Sequence, residues 1–416
     1  MFCVGIWIMR MNVLLSAFIL FTSAVRVTAE DWFRWRGPML NGISSESGWL
    51  TKWPGDEPKI SWQASVGTGF STVVVSQERV YTMGNEADVE TVFCLDANSG
   101  KVLWKHEYAC PLDPKFFEGG PTSTPTIDGD AVYTLSRSGQ LFCLDAVSGE
   151  IRWSKNVQEE TGAAIPSWGF SGAPLVHESL LVINMGDAGV ALDKKSGEVI
   201  WKSEATESGY STPYPYKVTE DQWAVILGSA KSYVAVDIKT GKELWRYRWL
   251  TRYGVNAADP IVNGDQVFIS SGYNKGSALL QLGSEEPTLV WKSKELRTQM
   301  NPSVLIKGYL YGTDGDAGND ATLKCIDWKT GEVKWSQKAV GTGGVTAADG
   351  NLIVLTSRGE LIVAPASPES FQPLTRAQVL GGKCWTCPVL SNGRIYCRNA
   401  DGKLVCIDAR SIKPQE

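Results

Sequence analysis

Histidine is nearly missing: His106 and His177 are the only two in 416 residues. That scarcity leaves little footing for histidine-based acid–base or nucleophilic catalysis, and no Ser-His-Asp arrangement can be inferred, since both histidines fall in expected loops. No block of Lys or Arg occurs, and the formal charge is −5. A mildly acidic chain without a basic patch argues against nucleic acid or anionic lipid as a partner. No two of the nine cysteines are adjacent. Apolar runs long enough to cross a membrane as a helix are also lacking, apart from one at the N-terminus.

That one run, residues 13–25, follows Arg10 and precedes the small residues of Val27-Thr28-Ala29. Residues 1–29 therefore read as a secretory signal peptide cut after Ala29. A membrane anchor is the competing reading, and Met9 or Met11 are alternative starts. No Cys follows the run to take a lipid. Cleavage removes Arg10 and Arg26 and no acidic residue, which moves the formal charge from −5 to −7. The expected product is periplasmic or secreted, monomeric, without a transmembrane segment. It would hold one domain over 30–410 and a short tail over 411–416.

What the chain has in excess is Trp, 17 residues, and Gly, 42. Their arrangement is periodic. Cys94-Leu95-Asp96 leads to Ser99-Gly100 and Trp104, and Cys143-Leu144-Asp145 to Ser148-Gly149 and Trp153. The pattern recurs at Asp193-Ser196-Gly197-Trp201, Asp237-Thr240-Gly241-Trp245 and Asp327-Thr330-Gly331-Trp335. Weaker copies run over 280–291 and 363–374, and Cys406-Ile407-Asp408 opens one more. From Trp62 to Trp335 the tryptophans are spaced by 42, 49, 48, 44, 46 and 44 residues, the length of a four-stranded propeller blade.

Each motif residue has a physical task. The Asp can accept hydrogen bonds from turn amides, the Gly takes a positive φ, and the Trp buries an indole between blades. Trp328 lies in a turn, off the docking position, and is expected to matter much less to stability than Trp153. The count predicts an all-β, eight-bladed propeller of four-stranded antiparallel blades. Its last blade would combine the C-terminal strands with an N-terminal strand at 59–66 around Trp62, which leaves no free sheet edge.

The Leu-Asp-x-x-Ser/Thr-Gly-x-x-x-Trp pattern resembles the pyrroloquinoline-quinone-type propeller repeat, over roughly 32–410. Trp35-Arg36-Gly37-Pro38 and Asn256-Ala257-Ala258-Asp259-Pro260 are similar to segments of exported quinoprotein-like propellers. The resemblance implies one of two branches. Quinoprotein alcohol dehydrogenases hold the quinone and calcium. Cofactor-free propellers include the lipoprotein subunit of the outer-membrane barrel-assembly machinery. The dehydrogenases carry a disulfide between adjacent cysteines, and the lipoprotein a Cys just after its signal peptide; both features are missing here. The reading adopted is a binding or scaffold protein of the cell envelope, with no catalytic residue, metal or cofactor. The alternative is a quinone- and calcium-dependent alcohol dehydrogenase.

Several local features carry candidate chemistry. Cys94, Cys143, Cys325 and Cys406 share one repeat position and read as buried thiols in separate blades. Cys384-Trp385-Thr386-Cys387 has redox spacing, but on a strand. Cys387 and Cys397 flank the turn at Asn392-Gly393, where strand register decides whether they pair. Asp314-Gly315-Asp316 with Asn319 and Asp320 offers oxygen ligands suited to calcium or, equally, an acidic hairpin tip. A polar residue recurs at each inner-strand entrance: Ser71, Ser123, Ser171, Thr212, Asn256, Asn301, Thr342 and Thr386. The long connections should share one face with these entrances. Trp168, Arg252, Tyr253, Asn256, Asn301 and Trp385 are the candidate residues there. They suit a protein, peptide or glycan partner, or a polar planar ligand, through stacking surfaces, a guanidinium fork and amides.

Overall fold

Eight four-stranded antiparallel blades surround a central channel. A computed structural model of the chain describes residues 1–2, 30–115, 117–283, 286–316 and 320–411. Most of the expected leader and residues 412–416 of the tail lie outside the described residues. The innermost strands of blades 1 to 8 are Val74–Ser76, Thr126–Asp128, Leu175–His177, Tyr214–Lys217, Ile261–Asn263, Val304–Ile306, Gly344–Ala348 and Val389–Ser391. Helix is confined to Val157–Thr161 and a short 3-10 turn at Pro54–Asp56 among the described residues.

The repeat motif forms one joint used again and again. In blade 1 the Asp96 carboxylate accepts from the Ser99 amide at 2.7 Å, the Ser99 hydroxyl at 2.7 Å and the Asn98 amide at 3.1 Å. This closes the turn between the third and fourth strands. Gly100 sits at φ +71°, and a β-carbon there would lie 2.5 Å from the Trp62 ring. The glycine thus has two reasons to be there: its backbone conformation, and an indole lying directly on the turn. The Trp62 Nε1 donates to the Ala97 carbonyl at 3.0 Å. Trp104 repeats the joint on Gly149 and Ala146, Trp153 on Gly197 and Lys194, Trp201 on Gly241 and Ile238, and Trp291 on Gly331 and Trp328. Every indole comes from the blade before the turn that it covers. In blade 5 Gln281 and Pro287 stand where the motif has Asp and Gly, and Trp245 of blade 4 donates instead to the Tyr216 hydroxyl at 2.7 Å.

The closure runs as expected. Lys59–Ser65 pairs antiparallel with Lys403–Asp408, with Trp62 opposite Cys406. At the seam between blades 8 and 1, the buried Arg398 donates to the carbonyls of Ser71 (2.8 Å) and Gly67 (2.9 Å) and to the Thr82 hydroxyl (2.8 Å). Burial without a carboxylate partner pushes its guanidinium down to about 9.

Three particulars differ from the sequence reading, and a fourth, the state of Cys387 and Cys397, was left there to strand register. Ile43–Ser44 adds a fifth, parallel strand to the inner edge of blade 7. His106 and His177 lie in strands, not loops, with His106 4.7 Å from the Phe142 ring and His177 4.9 Å from Trp223. All eight described cysteines are free and buried, including Cys387 and Cys397. The register of that hairpin sets Ser391 against Arg394, which puts Cys387 level with Arg398, not with Cys397. Finally, Trp328 is 3% exposed, packs on Phe268 and donates to the Gln266 side chain at 2.8 Å.

The last observation reverses an expected ranking of stability. Trp328→Ala empties a buried site and removes the donor to the Gln266 side-chain oxygen, so it should cost about 3–5 kcal/mol. Trp153 is only partly buried, and Trp153→Ala should cost somewhat less. Denaturant midpoints of the two variants check the order.

Candidate functional site

In each blade the connection between the second and third strands and the link to the next blade leave on the same face. These connections enclose a cup of about 360 Å³ at the mouth of the channel. Aromatic side chains form two of its walls. On one, the Phe70 ring lies 5.5 Å from Trp385 and 5.6 Å from Phe117. On the other, Trp168 meets Tyr210 edge-on at 5.9 Å. Tyr253 stands 6.4 Å from Trp168 and 5.3 Å from Tyr273 and carries that wall outward.

The floor comes from the other end of the molecule. Residues 31–46 cross the face with the short turns. Asp31 accepts from the Ser76 hydroxyl and the Gln77 amide, each at 3.0 Å, Phe33 accepts from the Ile127 amide, and Glu46 from the Gly393 amide at 2.8 Å. From this strap Trp35 enters the channel, and its indole Nε1 donates to Asp259 Oδ2 at 2.6 Å. Asp259 Oδ1 accepts from the Thr212 amide at 2.7 Å. Arg36, buried beside them, donates to the carbonyls of Ser303 at 2.7 Å and Asn41 at 3.0 Å. Burial pushes the Asp259 carboxyl up to about 6, against the opposing pull of the Arg36 charge and the two hydrogen bonds. Burial also lowers the Arg36 guanidinium, with the Asp259 charge opposing.

The six residues singled out in the sequence fall into three groups. Trp168, Asn301 and Trp385 line the cup. Tyr253 and Arg252 are exposed on its outer lip, with the Arg252 guanidinium 5.2 Å from the Tyr253 ring. Asn256 is fully buried behind the wall. Its amide donates to the Ser229 and Trp249 carbonyls, and its oxygen accepts from the Ser271 hydroxyl at 3.0 Å. Asn301 is also engaged, donating to the Trp385 carbonyl at 2.8 Å. Of the polar entrance residues, Ser171, Thr212, Asn301 and Thr386 line the cup. Ser123 is buried and bonded to the backbone. Trp35, Phe70 and Phe117 were missed, Asp316 was singled out only as a calcium ligand or hairpin-tip acid, and only the paired motifs at 35–38 and 256–260 hinted at the floor.

The other candidate chemistry finds different partners. Asp314 is buried and ion-paired with Arg297 (2.9 Å) and Lys324 (2.7 Å). Asp316 accepts from the Tyr273 amide, while Asn319 lies outside the described residues. No group of three or more His, Cys, Asp or Glu suited to a metal ion occurs among the described residues. Burial pushes the Cys384 and Cys387 thiols up to about 12, away from the thiolate that redox exchange needs.

Comparison with known proteins agrees with this architecture. A family model described as outer membrane protein assembly factor BamB matches residues 88–337 and 319–413. No curated protein sequence matches. The solved structure of BamB from Moraxella catarrhalis is similar at 16% identity and a TM-score of 0.62, over 85% of this chain and 100% of that one. Quinohemoprotein alcohol dehydrogenase from Comamonas testosteroni is similar at 16% identity and 0.67, over 93% and 82%. A europium-containing methanol dehydrogenase follows at 14% and 0.66, over 91% and 89%. At these identities the likeness is one of fold.

The buried floor gives a signed pH dependence. An acid whose pKa is higher folded than unfolded holds its proton more tightly when folded. The Asp259 contribution to stability is therefore full below about 3.9 and is lost as the pH rises through about 6. Relative to Asp259→Asn, the wild-type chain should lose on the order of 3 kcal/mol between pH 4 and 7. Urea midpoints of both chains across that range check it; a constant difference contradicts the burial argument.

Proposed function

The chain belongs to the propeller family described as outer membrane protein assembly factor BamB, and from that premise we propose that it is an exported, non-catalytic binding or scaffold protein of cell-envelope assembly. Its partner is a protein or peptide that docks on the long-connection face. The observation that carries this reading is the cup itself: a concave, aromatic-walled site, closed below by Trp35 and ringed by long connections. Rigid aromatic anchors with polar groups between them are the usual make-up of a binding site. Its hydroxyls and amides supply no general base, and its acids are Asp259, tied to Trp35 and Thr212, and Asp316 at the rim. Exposed apolar side chains beside the mouth, Ile165, Leu250 and Tyr253, suit a protein partner. No helix among the described residues is long and apolar enough to cross a membrane.

The quinone-and-calcium alternative fits the lining less well. Pyrroloquinoline quinone is a polycarboxylate, and among the described residues no Lys or Arg lines the cup to receive it. A calcium ion needs several oxygen ligands, whereas both Asp259 oxygens already accept hydrogen bonds.

Photo-crosslinking residues placed at Ile165 and Tyr253 on the long-connection face, and at Val147 on the short-turn face, test the proposal in the producing cell. Discrete cross-links to an envelope protein from 165 and 253, and none from 147, are expected. Cross-links confined to 147, or alcohol-dependent dye reduction by purified protein supplied with quinone and calcium, would overturn it.

A further inference from the structure

The lining of the cup is unbalanced in charge. Its walls are built of aromatic rings, whose π faces are negative. Its carboxylates are Asp259 and Asp316, and no Lys, Arg or His lines it among the described residues. Cations do stand close by, and each faces a carboxylate of its own. Lys383 is ion-paired with Glu118 at 2.7 Å while lying 4.4 Å from the Trp385 ring, and Arg297 is paired with Asp314. Arg36 lies beneath the floor, where its charge already opposes that of Asp259. Asp316 differs: it accepts from the Tyr273 amide but makes no ion pair within 4.0 Å among the described residues.

The two aromatic walls face each other across the ring. Phe70 and Trp385 stand at the entrances of blades 1 and 8, Tyr210 at that of blade 4, and Tyr273 in a connection of blade 5. In an eight-bladed ring, blades 8 and 1 lie opposite blades 4 and 5. The cup is therefore bounded by aromatic side chains on opposite sides, with a carboxylate at the rim that makes no ion pair among the described residues. We infer that the cup is a receptor for an organic cation, the ammonium or guanidinium group of a small amine or of a Lys or Arg side chain on an extended peptide. Aromatic rings on opposite sides attract such a group once water is stripped from it, and Asp316 supplies the counter-charge. At about 360 Å³ the cavity lies at the small end of ligand pockets and has room for one amino-acid side chain with its flanking backbone. An anion would meet two carboxylates, with the neighbouring cations Lys383, Arg297 and Arg36 already facing Glu118, Asp314 and Asp259, and a neutral sugar would leave the Asp316 charge without a counter-ion. The inference rests on the reading of the long-connection face as a binding surface, and it names what that surface recognises.

Titration calorimetry on the purified full chain tests it, with tetramethylammonium as the small cation and a blocked Gly-Arg-Gly peptide as the side-chain source. Blocked Gly-Glu-Gly and glucose serve as the anionic and neutral probes. Saturable binding is expected for at least one cation, at least 10-fold tighter than for either control and weakening as salt is raised. Preference between the two cations assigns the source. Asp316→Asn keeps an oxygen for the Tyr273 amide and should weaken cation binding about 10-fold with an unchanged unfolding midpoint. Trp385→Leu should weaken it through the opposite wall. Equal binding of glucose or of the Glu peptide, or cation binding untouched by Asp316→Asn in a folded chain, would overturn the inference. Cross-links from residues 165 and 253 without any cation binding would sink the cation reading and leave the docking face standing. Cation binding without such cross-links would leave the cup as a small-molecule site and remove the protein partner.

Discussion

An indole lying on the next blade's turn is the contact on which everything else in this molecule depends. The Trp ring covers a glycine that has no side chain to obstruct it, and the indole N–H caps a turn carbonyl, as Trp62 does over Gly100 and Ala97. Burying a side chain of that size contributes about 2–3 kcal/mol per joint. More important is where the contact acts. It fixes the angle between neighbouring sheets, and an angle repeated round the ring brings the last blade back to the first. There Trp62 completes the sheet of Cys406 and docks onto blade 1 with the same joint used elsewhere.

Once the ring is closed, the entrances of the inner strands must converge, and the longer connections crowd round one mouth. A ring of blades alone would leave an open channel. The N-terminal strap turns that channel into a cup by crossing the short-turn face and sending Trp35 up to Asp259. The floor holds a buried carboxyl and a buried guanidinium, Asp259 and Arg36, on each of which burial and mutual attraction pull in opposite directions. Such an arrangement holds only if both partners stay in place. The strap is thus tied to the binding end of the molecule although it lies on the other face.

The fold was legible in the sequence because its cause is periodic. Asp, Ser or Thr, Gly and Trp recur at fixed offsets, and the joint they make is local to two blades. Trp328 was misread because it lies outside that period; its burial comes from Phe268 and Gln266 of the neighbouring blade, which no spacing encodes. Asn256 and Asn301 were read as donors for a ligand because amides at a channel entrance are free in principle. In a connection without a ladder, however, the backbone carbonyls need donors, and these two amides supply them. Trp168 and Trp385 do line the cup, because a large ring on a crowded connection has few places to go. Trp35 and Asp259 are 224 residues apart. Nothing in the spacing joins them, though both sit in segments noticed for their likeness to other propellers.

The account stands or falls on the closed floor. The most direct measurement is the indole N–H resonance of Trp35, followed by NMR from pH 4 to pH 8 in a chain labelled at tryptophan and assigned with Trp35→Phe. A bond to a buried carboxylate predicts a downfield-shifted proton, slow to exchange with solvent, whose shift moves through a single step near pH 6 and loses that step in Asp259→Asn. A Trp35 indole proton that exchanges freely and keeps one shift across that range would contradict the account.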